Sequence, residues 1–380
     1  MIKLTNKEKF SEILYYLFIF LIMFNYGFEN INTIDYGSTI IHDIVQYLAL
    51  CVALLCFIMK KIEINGFLWI IRVLLIGILC YISGGWTNML LTILAIYLLN
   101  NIEINNILVF IFVERLLILI AIIFMANVGI LHNSVIEVAK STYSVKALSM
   151  GFSHPNTFAT NIGILILLYL CINRENMNIW KRSILIILNI GVYKLSGTRT
   201  TFILITAAII FEILCNIKNA VGFKMFLKKI MPFMYILILV CMFVCIGLFA
   251  KIGYTNNILN IINDKIFNGR LGLGALYFST YHFSLFGNKL DMNLLSNSSY
   301  HALDNGYVIL FMYYGIVGFL LFMYIMQRLI RTLKNNNEVF LMLLCIVMGL
   351  WGMYEGMLVS LAGNFIILFY GKYCIKRYGV

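Results

Sequence analysis

Residues 231–250 read MPFMYILILVCMFVCIGLFA, twenty consecutive positions without a charged side chain. A helix needs about 20 apolar residues to cross the hydrocarbon core of a bilayer. Similar runs recur along the chain, whose 380 residues are 62% hydrophobic and 12% charged. Soluble domains are about 45–50% apolar and about 25% charged, so a soluble enzyme, a secreted domain and a DNA-binding module are excluded. The sequence predicts an all-α integral membrane protein.

Apolar runs between polar breaks predict about 12 transmembrane helices, with about 10–12 as the range, in a single polytopic membrane domain over residues 1–380. The first run follows three lysines and precedes no small-residue cleavage site, so it is predicted to be an uncleaved anchor. The predicted spans are 12–28, 39–59, 66–83, 87–100, 107–131, 157–173, 180–195, 200–217, 230–253, 304–327, 338–353 and 356–371.

Lysine and arginine are concentrated in every second connection between these spans, beginning with Lys3, Lys7 and Lys9. Cytoplasmic connections carry this excess, which predicts that both termini are cytoplasmic. The net charge of +12 therefore indicates topology and not a nucleic-acid partner. Two connections on the opposite, outer side are long: an outer loop at 132–156 and one large outer loop at 254–303. All five histidines lie on or near this outer boundary.

Common catalytic and metal motifs are absent. The nine cysteines form no C-x-x-C, and the chain contains no D-x-D, H-E-x-x-H or G-x-S-x-G. We therefore expect no metal and no nucleotide cofactor. Neither a proline nor a pair of glycines interrupts the middle of a predicted span, which disfavours a transporter with discontinuous helices.

The first candidate motif is LSGTRTT at 195–201, in an outer turn between two predicted spans. Serine and threonine cap helices, and the amides of a helix N-terminus bind anions. Arg199 adds a planar guanidinium suited to phosphate. It lies on the predicted outer side of the membrane, where the connections carry few lysines and arginines. Lys194 lies on the same face. The structural alternative is a tight turn whose arginine reaches lipid headgroups.

The second motif is GFSHPNT at 151–157, at the outer start of the sixth predicted span. Pro155 suits the first turn of a helix, which places Ser153 or His154 near the cap. His154 and Asn156 are candidate substrate-binding residues, and a helix start with a purely structural histidine is the alternative.

The third motif is YHALDNGY at 300–307, just before the tenth predicted span. His301 is the candidate catalytic base, because a histidine accepts a proton from a hydroxyl near neutral pH. Asp304 and Asn305 are candidate substrate-binding residues beside it, although Asp304 also suits a helix cap. Arg270, among glycines in the large outer loop, is a further candidate for substrate binding, with a headgroup-binding loop as its alternative.

Three charges fall inside predicted spans: Arg72, Glu114 and Arg115. Intramembrane charges are costly and usually paired. We expect an interhelical ion pair between Arg72 and Glu114, with Arg115 extending towards the inner surface.

These motifs together resemble bacterial Wzy-type polysaccharide polymerases, which build O-antigen, capsule and exopolysaccharide and are related to O-antigen ligases. The resemblance covers the whole chain in architecture and some 20 residues in motif: SGTR at 196–199, GFSHPN at 151–156 and His301 with DNGY at 304–307. It implies a multi-pass protein of the bacterial cytoplasmic membrane. It also implies inverting transfer of a growing glycan from undecaprenyl diphosphate onto the next lipid-linked repeat unit.

By this resemblance, Arg199 and Arg270 hold the lipid diphosphate and His301 is the outer-loop histidine. The implied partners are an undecaprenyl-diphosphate-linked oligosaccharide, a repeat-unit flippase and a chain-length regulator, and no nucleic acid. Three alternatives stay open. A ligase would use the same outer site, a lipid-monophosphate glycosyltransferase would use Glu29 or Asp35 as its base, and a transporter or flippase of lipid-linked sugars would need a polar route through the helices.

Overall fold

A computed structural model of the chain describes residues 6–29, 31, 39–59, 64–99, 102–140, 143–217, 221–290 and 303–375. Within these residues, seven helices are long and apolar enough to cross a membrane, and three shorter apolar helices accompany them. Large apolar side chains lie exposed along the long helices, as a lipid environment requires. The chain is therefore a predominantly helical membrane protein, as predicted, while the number of spans and the side of the termini remain predictions.

The described helices fall into two compact units, the first of which comprises 1–61 and 98–220. In this first unit α1 packs on α2 and α5, and α6 packs on α5, α7 and α8. Its elements are α1 (Asn6–Glu29), α2 (Ile40–Met59), α5 (Ile104–Asn127), β1 (Val135–Lys140), β2 (Tyr143–Leu148), α6 (Pro155–Ile172), α7 (Ile179–Ser196) and α8 (Arg199–Asn216).

The second unit comprises 62–97 and 221–380. In it α9 packs on α11, α12 and α13, and α12 packs on α3 and α14. Its elements are α3 (Ile64–Gly84), α4 (Asn88–Leu98), α9 (Val221–Ile252), α10 (Asn257–Lys265), α11 (Arg270–Thr280), α12 (Gly306–Asn335), α13 (Val339–Trp351) and α14 (Leu368–Tyr373).

The predicted span at 338–353 contains α13, whose 13 residues extend about 20 Å and are also too short to cross the hydrocarbon core. Two further predicted spans differ from continuous transmembrane helices. The span at 87–100 contains α4, whose 11 residues extend about 16 Å at 1.5 Å per residue and do not cross a hydrocarbon core of about 30 Å. The span at 356–371 begins with irregular backbone and becomes helical at the 3-10 turn Phe365–Ile367 and at α14. Both segments are apolar because they are buried in the second unit. Hydropathy does not distinguish that burial from contact with lipid.

The two predicted outer loops contain regular structure. The loop at 132–156 includes an antiparallel hairpin in which Val135 pairs with Leu148 and Lys140 with Tyr143. The loop at 254–303 includes α10 and α11, and its residues 291–302 lie outside the described residues.

The helix α12 is broken in its interior at Gly315, which has φ 68° and ψ −174°. The segment 284–288, after α11, lies against the break. The break leaves some backbone groups of α12 without a partner inside the helix. These groups form hydrogen bonds with the segment 284–288 instead of with water. The three bonds run from Asn288 N to the Met312 carbonyl (2.8 Å), from Ile316 N to the Ser284 carbonyl (3.1 Å) and from Val317 N to the Leu285 carbonyl (3.0 Å).

Arg72 and Glu114 belong to different units, so the ion pair predicted between them stays a prediction. Both carboxylate oxygens of Glu114 are buried without a hydrogen-bond partner among the described residues, and Arg72 is exposed. Contrary to our expectation, Arg115 does not extend towards the inner surface but points into the first unit. Its guanidinium is buried, donates to the Asn161 side chain at 2.8 Å and lies 5.4 Å from the ring of Tyr26.

Candidate functional site

The start of α6 follows from its sequence. Pro155 occupies the first turn, where its missing N–H costs nothing, and the His154 ring accepts a hydrogen bond from the Asn156 backbone N–H at 3.1 Å. His154 is exposed, and its ring serves as the cap of α6. The predicted cap is confirmed, and the binding role of His154 stays a prediction.

The turn between α7 and α8 is shaped by Gly197, which ends α7 in the left-handed region with φ 67°. Thr198 is the N-cap residue just before α8, and its side chain makes no capping hydrogen bond to the helix. Its hydroxyl instead donates to the Asn156 side-chain oxygen at 3.0 Å. This bond joins the first and second candidate motifs, which are separated by more than 40 residues in the sequence.

Two cations flank this junction. Lys194 lies in the last turn of α7, Arg199 begins α8, and both side chains are exposed. The first amides of α8 carry the positive end of the helix dipole and add to the attraction for an anion. The first unit therefore presents two exposed basic side chains and a helix N-terminus beside the Asn156–Thr198 bond.

The second unit contains a buried arginine at the start of α11. The Arg270 Nε donates to the Tyr354 carbonyl at 2.7 Å, and its Nη2 donates to the Asp304 carboxylate at 3.3 Å. The guanidinium also lies 5.9 Å from the Tyr354 ring, which stacks on Phe267 at 5.8 Å. With its side chain 7% exposed, Arg270 is a fixed element of the unit and not the mobile headgroup-binding residue of the structural alternative.

The first turn of α11 is already capped. Gly269 enters it with φ 83°, and the Asn263 side-chain oxygen accepts from the amides of Leu271 (3.0 Å) and Gly272 (3.1 Å). An anion at this site would therefore depend on the Arg270 guanidinium and not on the helix amides.

The predicted substrate-binding residues Asp304 and Asn305 have different roles. Asn305 is the cap of α12, because its side-chain oxygen accepts from the amides of Tyr307 (3.0 Å) and Val308 (3.2 Å). Asp304, which the sequence offered as that cap, instead bonds Arg270 and leaves 29% of its side chain exposed. Its carboxylate is accessible to a ligand, whereas the Asn305 side chain is buried.

Sequence reasoning missed Glu355, which lies in the segment after α13. Its carboxylate oxygen is 3.9 Å from the Arg270 Nη2, and its side chain is 19% exposed. Burial raises the pKa of Glu355 to about 8, with Asp304 adding to the rise and Arg270 opposing it. The signal in the sequence is a lone carboxylate in an apolar stretch, a pattern that also predicts a simple break between two spans.

The structure thus joins Asn156 to the SGTR turn in one unit, and Arg270 to Asp304 and Glu355 in the other. The candidate base His301 lies outside the described residues. Among the described residues, no three His, Cys, Asp or Glu side chains are grouped as metal ligands would be. No family model, curated protein or solved structure matches this chain.

Proposed function

We propose that this protein is a membrane glycosyltransferase that polymerises lipid-linked oligosaccharide repeat units into a surface polysaccharide. The reaction would take place on the outer face of the bacterial cytoplasmic membrane, with undecaprenyl diphosphate as the leaving group. The observation that carries the proposal is the hydrogen bond between Asn156 and Thr198. It brings together two of the three motifs on which the resemblance rests, beside the exposed Arg199.

The chemistry needs a cation where the diphosphate departs. The acceptor hydroxyl oxygen attacks the anomeric carbon, the bond from that carbon to the diphosphate oxygen breaks, and the electron pair leaves with the diphosphate. Arg199 and Lys194 are suited to that anion, because fixed cations stabilise charge that grows in the transition state. Exposure of both side chains leaves their donors accessible to substrate.

The acceptor hydroxyl must lose its proton as it attacks. We assign that proton to His301, which precedes Asp304 by three residues in the sequence. Arg270 holds Asp304 in place by the 3.3 Å contact, and its guanidinium, which is buried, is our further candidate for binding the diphosphate.

Two other functions remain candidates. A ligase would use the same residues and differ in its acceptor, so its product distinguishes it. A transporter of lipid-linked sugars is favoured by one observation, the break of α12 at Gly315, since discontinuous helices form the binding sites of many transporters.

Replacing Arg199 with alanine is expected to abolish long chains. In a host lacking the gene, wild-type protein should restore a ladder of polysaccharide lengths, and Arg199→Ala should leave single lipid-linked repeat units, with chain elongation reduced by about 100-fold or more. Lys251→Ala, which removes an exposed cation from the last turn of α9, is the matched control and should behave as wild type.

The lengths are read by gel electrophoresis of the glycan at equal membrane expression. Long chains in Arg199→Ala would contradict the site. Loss of all lipid-linked glycan from the outer face in the deletion host, with single units retained on the inner face, would favour the transporter.

A further inference from the structure

Arg270, Asp304 and Glu355 form a group of charged side chains, the Arg270 cluster, whose net charge depends on one proton. The Arg270 Nη2 lies 3.3 Å from the Asp304 carboxylate and 3.9 Å from that of Glu355. One cation between two carboxylates gives the cluster a formal charge of −1 when both are ionised. A cluster of that charge repels a phosphate or diphosphate, although a guanidinium lies at its centre.

Glu355 is held in place by its backbone. Its amide donates to the Trp351 carbonyl at 2.9 Å, and the Gly352 carbonyl accepts from the Gly306 amide at 2.8 Å, which ties the segment to the start of α12. A side chain at Gly306 would meet the Glu355 carbonyl oxygen at 2.9 Å. The Glu355 backbone is therefore held beside the start of α12, a position from which its carboxylate reaches Arg270.

We propose that Glu355 is a positioning residue that switches the Arg270 cluster between an anion-accepting and an anion-rejecting state. With a proton on Glu355, Arg270 faces one carboxylate, and the cluster is neutral and accepts the diphosphate of the lipid-linked substrate. Without that proton, the cluster is negative and rejects the diphosphate. The assignment of the ligand rests on the proposed function, whereas the proton on Glu355 does not.

The direction of the pH effect follows from the groups that face Glu355. These are Arg270 from α11, Asp304 from the start of α12 and the neighbouring Tyr354, with Tyr277 close to Asp304. Burial raises the pKa of Tyr354 above its usual value and that of Tyr277 to about 12, so these phenols stay neutral where Glu355 titrates. Because the pKa of Glu355 is raised to about 8, anion binding is expected to weaken as the pH rises through about 8.

The test is calorimetric titration of the full chain in lipid nanodiscs with inorganic diphosphate, at about pH 6.5 and about pH 9.5. For wild type, the Kd should rise between the two values by about tenfold more than it does for Glu355→Gln. Glu355→Gln mimics the protonated side chain, so it reports any change caused by protonation of diphosphate itself. Glu175→Gln makes the same chemical change at an exposed carboxylate before α7 and should behave as wild type.

Equal pH dependence in all three proteins overturns the proposal, and so does a wild type that binds no diphosphate at about pH 6.5. Infrared titration provides the second measurement. Wild type and Glu175→Gln are expected to show a protonated-carboxyl band that decreases around pH 8. Glu355→Gln should show a smaller band, the remainder coming from the buried carboxyl of Glu114. A band that Glu355→Gln leaves unchanged overturns the proposal. Glu355-dependent diphosphate binding by a protein that elongates no glycan would contradict the proposed function and support the role of Glu355.

Discussion

Replacing Gly315 with alanine is expected to prevent the second unit from folding, at a cost of at least about 3 kcal/mol. Two effects add. The backbone at φ 68° and ψ −174° is open essentially to glycine alone, and an alanine Cβ would lie 2.5 Å from the Leu285 carbonyl oxygen. Relieving the overlap would separate the segment 284–288 from α12 and leave backbone amides unpaired.

The measurement is the yield and thermal stability of the detergent-solubilised protein, followed by size-exclusion chromatography after heating. Gly247→Ala is the matched control, since Gly247 lies within α9 in the same unit and a Cβ there meets no atom within 4 Å. That variant should be neutral or slightly stabilised, because alanine favours helices over glycine. A Gly315→Ala protein as stable as the Gly247→Ala protein would contradict the broken helix.

Replacing Glu212 with alanine is expected to destabilise the α7–α8 hairpin by about 3–5 kcal/mol. Its carboxylate, 1% exposed, accepts from the Arg182 Nε at 2.8 Å and from the Arg182 Nη2 at 2.9 Å, and the Asn216 amide also donates to it. Removing the carboxylate leaves the Arg182 guanidinium, itself largely buried, without this partner. Because the same hairpin carries the SGTR turn, glycan elongation should fall with stability.

A double variant separates charge from packing. Replacing both partners, as Arg182→Met with Glu212→Met, should recover most of the lost stability, since apolar residues of similar volume often replace a buried pair without loss. Glu175→Ala removes an exposed carboxylate near the start of α7 and should leave the melting temperature unchanged. Equal melting temperatures for Glu212→Ala and Glu175→Ala would show that the buried pair does not stabilise the hairpin.

The helices were predictable because apolar length and turn residues are local signals. The turn at 195–201 and the start of α6 at Pro155 follow from glycine, proline and capping residues within a few positions. The break in α12 was not predictable by such means. A single Gly315 is ordinary in a helix, and its conformation depends on a segment about 30 residues earlier that returns to pair with it.

The candidate site was also predictable only where its signals are local in the sequence. Motif composition identified Asn156, Thr198 and Arg199. The hydrogen bond between Asn156 and Thr198, however, depends on the packing of α6 against α7 and α8. Asp304 and Asn305 are adjacent and both cap helices well, so the choice between them was decided by Arg270, which is distant in sequence. Glu355 was missed because a lone carboxylate between apolar runs is typical of a loop.

The central claim is that the protein joins lipid-linked repeat units, and purified protein tests it most directly. Wild-type protein in nanodiscs, supplied with undecaprenyl-diphosphate-linked repeat units and no nucleotide sugar, should produce a ladder of longer glycans and release one undecaprenyl diphosphate for each bond formed. Because nanodiscs enclose no compartment, transport alone yields no product. Repeat units that remain single in the presence of folded wild-type protein would contradict the account.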